Sequence, residues 1–240
     1  MIVIAAAMKA ELTACIDSLE EKKEHAWNHL TYFTGIFHDE EAVVWLSGVG
    51  KVSTALSLQR CFDMFSPEIC FFTGIAGSIN KDLEVGDIVL AEKTIQWDLD
   101  TRFFKMKRGK IPFTKYRILK PDPELLRYAE SWEPANGRLV KGTILTGDTF
   151  IAEGDSPEYS FLQKELKGDA VEMEGASANY TAELNSVPFL LFRILSDQAK
   201  GINLLGFKNF VKNESKKACM LISHILTQRA LSDTRTRENI

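Results

Sequence analysis

Carboxylates recur in this chain where apolar runs stop. MIVIAAAMKAEL places Met8 and Glu11 just beyond the apolar run 2–7. DAVEMEGASAN sets Glu172 and Glu174 around Met173, directly after Ala170-Val171. FRILSDQA interrupts an apolar run with Arg193 and ends it on Ser196-Asp197. Three further runs end in small or polar residues: Gly48-Val49-Gly50, Thr73-Gly74-Ile75-Ala76-Gly77 and Gly147-Asp148-Thr149-Phe150. Together these run ends supply carboxylates, one arginine and several large apolar side chains, but no histidine and no cysteine. That argues against a Ser-His-Asp or Cys-His nucleophile and against a zinc site. Acid–base chemistry by carboxylates stays open.

The elements that must position these groups follow from the same pattern. The run 2–7 reads as a central strand and 8–19 as a helix. Residues 30–37 and 41–47 read as paired strands across the turn HDEE. Helical spacing returns over 51–65, 121–132, 157–166, 175–184 and 207–229. Short apolar runs at 69–73, 87–91, 138–146, 170–172 and 188–194 read as further strands. Residues 95–115, aromatic and basic without a regular period, read as a long functional loop. Strand, small or polar residues, then helix is the recurring order. It indicates an α/β layer structure with a largely buried sheet, in which ligands bind at the carboxyl ends of strands.

No linker, repeat or low-complexity tract divides the 240 residues, so one domain over 1–229 with a polar C-terminal tail over 230–240 is expected. The net charge of −4 gives no electrostatic case for nucleic acid or an anionic membrane as partner. The N-terminus lacks the cationic start and longer apolar core of a signal peptide, and no run is long and apolar enough to span a bilayer. A cytoplasmic setting is expected. The four cysteines show no CxxC spacing and read as buried reduced thiols.

Several local patterns have plain readings. GVGKVS has Ser53 where a dinucleotide fingerprint needs its third glycine, and Val52 where a P-loop needs Ser or Thr. Its glycines instead suit close approach of backbone to a neutral ligand. His25 and His29 have the i, i+4 spacing of two ligands on a helix face, but they lie in a polar stretch with no third ligand nearby. KMKRGK, at 105–110, reads as a solvated loop.

Taken together, MIVIAAAMKAEL, SGVGKV, TGIAGS, VGDIV, TGDTFI, VEMEGAS and FRILSD resemble the purine nucleoside phosphorylase/nucleosidase superfamily. The closest resemblance is to its 5'-methylthioadenosine/S-adenosylhomocysteine nucleosidase branch, and it covers about 1–210. The resemblance implies a single-domain three-layer α/β/α sandwich around a central mixed, partly barrel-like sheet. It implies a homodimer without cofactor or metal that hydrolyses the bond between adenine and ribose. Glu11 then matches the base that deprotonates the attacking water. Asp197 matches the acid that protonates the leaving purine at N7, in a setting shaped by Ser196. Glu174 matches the ligand of the ribose hydroxyls, with Met173 against the sugar and Arg193 near the water. Phe150 matches the aromatic stacked on adenine, and Ile151 the residue whose backbone reads the base edge. Met8, Val49 and Phe207 match apolar positions around the ribose and its 5' substituent. Thr101, Phe104 and Pro112 match a loop lining the neighbouring subunit's pocket.

The chain departs from the branch pattern at Ile75, where a serine is common near the water or ribose, at Thr101, and in the basic loop 102–115. These departures bear on the 5' substituent more than on the bond cleaved. Other nucleosides remain as alternatives: 6-amino-6-deoxyfutalosine or futalosine, AMP, or a phosphorolytic substrate. So does a non-catalytic nucleoside-binding protein, which would be expected to lack Glu11 or Asp197. Glu172 is expected to serve a structural ion pair or to support a neighbouring site residue, rather than to catalyse.

Overall fold

A computed structural model of the chain describes residues 1–152, 154, 156–197 and 204–238, with backbone alone for 204–208 and 235–238. Ten strands among the described residues form one sheet. In chain order they are β1 (Ile2–Ala6), β2 (Glu20–Trp27), β3 (Leu30–Phe37), β4 (Glu40–Leu46), β5 (Ile69–Phe72), β6 (Ile75–Ser78), β7 (Ile88–Gln96), β8 (Leu139–Thr146), β9 (Ala170–Glu172) and β10 (Phe189–Asp197). Their spatial order is β2-β3-β4-β1-β5-β10-β6-β9-β8-β7, and β7 also pairs with β10. The last five strands in that order therefore close on themselves as a small barrel. Parallel and antiparallel pairings coexist: β1 runs parallel to β4 and β5, while β7 meets β10 antiparallel.

Both faces of the sheet are covered, which is why its central strands are apolar without alternation. Along β1, Ile2, Ile4 and Ala6 join one core and Val3 and Ala5 the other. The first core receives side chains from α1 (Lys9–Asp17), α3 (Pro123–Glu130) and α6 (Leu204–Glu238). The second receives them from α2 (Lys51–Phe65) and α5 (Gly175–Leu184). A third cluster packs Leu162 of α4 (Ser160–Lys164) and Leu166 just after it under the barrel with Ile95 and Leu145. This is the expected three-layer α/β/α arrangement with a mixed, partly barrel-like sheet.

Local signals set the element ends. Asp122 caps α3, accepting from the amides of Glu124 and Leu125 at 2.9 and 3.0 Å, with Pro123 opening the helix. Gly50 precedes α2 at φ +88°, which a side chain would disfavour. The polar stretch around His25 is strand β2, a charged, largely exposed outer strand paired to β3. There His25 bonds Thr34 at 2.9 Å and stacks on Tyr32. Residues 75–78 form β6 inside the barrel. The helix expected to end at 229 continues to Glu238, so 230–238 is not an irregular tail. The four cysteines are buried and free. Among the described residues no helix is long and apolar enough to cross a membrane.

Candidate active site

The strand ends that drew attention in the sequence converge. A cavity of about 500 Å³ opens at the carboxyl ends of β1, β9 and β10 and along the first residues of β6, within the size range of small-molecule sites. Met8, Glu11, Val49, Ile75, Phe150, Ile151, Met173, Glu174, Ser196 and Asp197 all line it. Thr101, Phe104 and Pro112 lie elsewhere, on the loop after β7, with Phe104 exposed. Phe207 is outside the residues whose side chains are described.

Glu11 stands at the third position of α1. Its Oε2 accepts from the Met8 amide at 2.9 Å, the half of a capping box that a helix N-terminus supplies to a glutamate there. Its Oε1 accepts from the Ile75 amide at 3.0 Å. Burial pushes this carboxyl up, against the pull of Arg193 and of these two amides. A carboxylate that is buried yet anchored by both oxygens is directional, as a base must be.

Glu174 follows β9, and its Oε1 accepts from the Gly50 amide at 2.8 Å. Burial and the neighbouring Glu172 raise its carboxyl to about 7, opposed by Arg193 and the Gly50 amide. Glu172, also at the cavity wall, has a different task. Its Oε2 accepts from the amides of Glu174 and Gly175 at 3.0 and 2.7 Å, at the start of α5. The same carboxylate pairs with the Arg193 guanidinium and accepts from the Thr146 hydroxyl.

Arg193, expected beside the water and ribose, is not among the residues lining the cavity. It is fully buried behind the wall, paired with Glu172, 3.6 Å from Glu174 Oε2 and bonded to the Thr73 carbonyl. A buried guanidinium needs its charge met at close range, and the two glutamates of VEMEG meet it from one side. Three carboxylates hold it charged although burial works against that charge. Ser196 donates to Asp197 Oδ2 at 3.0 Å at the end of β10.

The cavity wall also includes Ala152, which the sequence motifs did not point to, and Ala7, Ala76, Gly77, Thr149, Val171 and Glu172, which lie in those motifs without an expected place against the ligand. Most are small neighbours within the same motifs, so spread along each motif was the available signal. Thr146 was missed too. Its hydroxyl accepts from the Ala176 amide at 2.7 Å while donating to Glu172, tying β8 to the start of α5. No group of three or more histidine, cysteine or acidic side chains placed to hold a metal ion occurs among the described residues.

A closed five-stranded barrel beside an open sheet, with an acidic cavity at the strand ends, defines the class of protein. The chain belongs to the Phosphorylase superfamily, whose family model matches residues 1–227. Among its relatives, the aminodeoxyfutalosine nucleosidase of Campylobacter jejuni is 35% identical over 90% of this chain and 93% of that protein. The 5'-methylthioadenosine/S-adenosylhomocysteine nucleosidase of Staphylococcus haemolyticus is 30% identical over 94% of this chain and 99% of that protein. The crystal structure of the Campylobacter jejuni 5'-methylthioadenosine/S-adenosylhomocysteine nucleosidase superposes with a TM-score of 0.86 at 31% identity, covering 95% of this chain and 98% of that one. The corresponding enzyme of S. pneumoniae, solved with a transition-state inhibitor, gives 0.85 at 29% identity, covering 94% and 97%.

Proposed function

We propose that this protein hydrolyses the N-glycosidic bond of 5'-methylthioadenosine and S-adenosylhomocysteine, and possesses the same chemistry toward 5'-deoxyadenosine, releasing adenine and the 5-substituted ribose. The observation that carries the reading is the convergence of Glu11, Glu174 and Asp197 on one cavity with Phe150 and Met173 on its wall. Glu11 orients and deprotonates the water. Glu174 holds the ribose hydroxyls and offsets positive charge as the ribosyl cation develops. Asp197, bonded by Ser196, delivers a proton to N7, because adenine leaves poorly as an anion. Phe150 stacks on the base and the Ile151 backbone reads its edge. No cofactor or metal is needed for these steps.

Water rather than phosphate is the nucleophile in this reading. A phosphate dianion needs free cations and amides, whereas Arg193 is committed to Glu172 and Glu174 and the Ile75 amide to Glu11. A second reading, hydrolysis of 6-amino-6-deoxyfutalosine, is favoured by the 35% identity to the Campylobacter nucleosidase of that substrate. Incubation with both nucleoside classes, with and without phosphate, separates these readings by the base and sugar released. Phosphate-dependent cleavage would overturn hydrolysis.

The same reading takes the protein to be a cytoplasmic homodimer serving methionine salvage, with Thr101, Phe104 and Pro112 reaching toward the neighbouring subunit's cavity. Exposed apolar side chains on α2 (Val52, Leu56) and on the loop (Phe103, Phe104, Phe113) support the dimer.

A further inference from the structure

One residue ties together four segments at the rim of the cavity. The Lys51 ammonium binds both oxygens of Asp98 at 2.7 and 2.8 Å and lies 3.5 Å from Asp148 Oδ2. Its own amide donates to Asp148 Oδ1 at 2.9 Å, and its carbonyl accepts from the Ser177 hydroxyl at 2.7 Å. The Asp148 amide in turn donates to Asp98 Oδ2 at 2.9 Å. Asp98 follows β7, Asp148 follows β8 and Ser177 lies in the first turn of α5, so Lys51 fixes three strand or helix ends against the start of α2.

The residue before it matters for the chemistry. Gly50 donates its amide to Glu174 Oε1 at 2.8 Å. As the residue preceding α2, its amide has no helical partner to orient it. Its conformation, at φ +88°, is one that glycine adopts freely and therefore does not hold by itself. On its carboxyl side Gly50 is held by its own carbonyl, which accepts from the Thr54 amide at 3.1 Å, and by the Lys51 network, which ties that turn of α2 to the ends of β7 and β8. We propose that Lys51 is a positioning residue for the Glu174 carboxylate, acting through the Gly50 peptide and braced by Asp98 and Asp148.

The proposal rests on the nucleosidase reading for the role of Glu174. The charged groups facing Glu174 are Glu172 from β9, Arg193 from β10 and Glu11 from α1. Two of them repel its charged form, so the Gly50 amide is one of two influences favouring ionisation. With the Lys51 ammonium removed, Asp98 and Asp148 lose their shared cation while the backbone bonds of Lys51 to Asp148 and Ser177 remain, so the 147–150 loop shifts against the start of α2 and the Gly50 amide shifts with it from Glu174. The carboxyl then titrates at higher pH, and the ribose hydroxyls meet a less ionised, less ordered partner.

The test compares Lys51→Met in the wild-type and Glu174→Gln backgrounds, with thermal unfolding as a control on folding. In the wild-type background kcat/KM should fall about tenfold to a hundredfold, as misplacement near a reacting group does, and its acid limb should move to higher pH. In the Glu174→Gln background the same change should cost less than about twofold, since the group it serves is gone. Equal losses in both backgrounds, or an unmoved acid limb, would overturn the proposal. Asp148→Asn keeps an acceptor for the Lys51 amide and should shift the limb in the same direction by less, which serves if Lys51→Met does not fold. If the wild-type protein cleaves no nucleoside, the nucleosidase reading fails separately. Carbon NMR titration of the Glu174 carboxyl in the ligand-free protein then decides: a higher midpoint in Lys51→Met supports the positioning role, and equal midpoints overturn it.

Discussion

Three buried carboxylates, Glu11, Glu172 and Glu174, face a single buried guanidinium, Arg193. One positive charge cannot offset three negative ones at low dielectric, so the surplus is relieved by protonation. Glu174 takes much of it, at about 7 against an ordinary 4.5. Its folded-state value is raised, so its contribution to stability is full below the unfolded value and is lost as pH rises through 7. The ligand-free protein should therefore unfold at higher temperature at pH 5 than at pH 8, from a difference on the order of 1–3 kcal/mol. Glu174→Gln should flatten that slope in calorimetry; a slope unchanged by the substitution would assign it to other groups. Asp197→Asn tests a different property. Turnover should fall by about two to four powers of ten while nucleoside still binds, and unchanged turnover would remove Asp197 from the acid role. At this scale most of the site could be read from residue type and position after a strand. The ion pair expected of Glu172 is present, but its partners could not be read, because Arg193, Thr146 and the first turn of α5 meet only in three dimensions.

At the scale of elements, the link from β5 to β6 sets the geometry of the base. Gly74 stands there at φ +141°, and a methyl group on it would come within 2.3 Å of Arg193 Nη1 and 2.6 Å of Glu11 Oε1. Neither neighbour can retreat: Arg193 is locked to Glu172, and Glu11 is held by two amides. Gly74→Ala should cost about 2–4 kcal/mol from overpacking and backbone strain together, read from urea unfolding, and should lower kcat more than it raises KM. A variant of native stability and activity would show that the β5–β6 link is compliant. The element pattern was legible where burial is two-sided, as in β1 and β5, whose unbroken apolar runs need no partner to be recognised, and in β10, whose apolar run only Arg193 interrupts before Ser196. It was illegible for β2, where six of eight residues are exposed, none is buried, and the strand exists through pairing with β3. It was equally illegible for β6, four residues long with glycine and serine, which is a strand because β9 and β10 flank it.

At the scale of the whole molecule, barrel closure depends on β7 meeting β10 across about half the chain, a pairing that no local pattern announces. Closure leaves two features facing outward beside the cavity. One is the face of α2 carrying Val52, 79% exposed, and Leu56, 63% exposed, one turn apart and next to the cavity residue Val49. The other is the 98–118 loop with Phe103, Phe104 and Phe113 in solvent. Apolar groups on a helix that also borders the substrate cavity are suited to burial against a second copy, and the proposed homodimer places them there. Val52→Glu would put a charge without a partner into such an interface, at a cost of several kcal/mol. The wild-type protein should then sediment at twice the chain mass and Val52→Glu at the chain mass itself, with its secondary structure intact by circular dichroism. If the loop bearing Thr101, Phe104 and Pro112 completes the neighbour's cavity, the dissociated variant should show a raised KM for the nucleoside that high protein concentration restores. A wild-type protein that sediments as a single chain, or a monomeric variant with unaltered KM, would confine the site to one subunit.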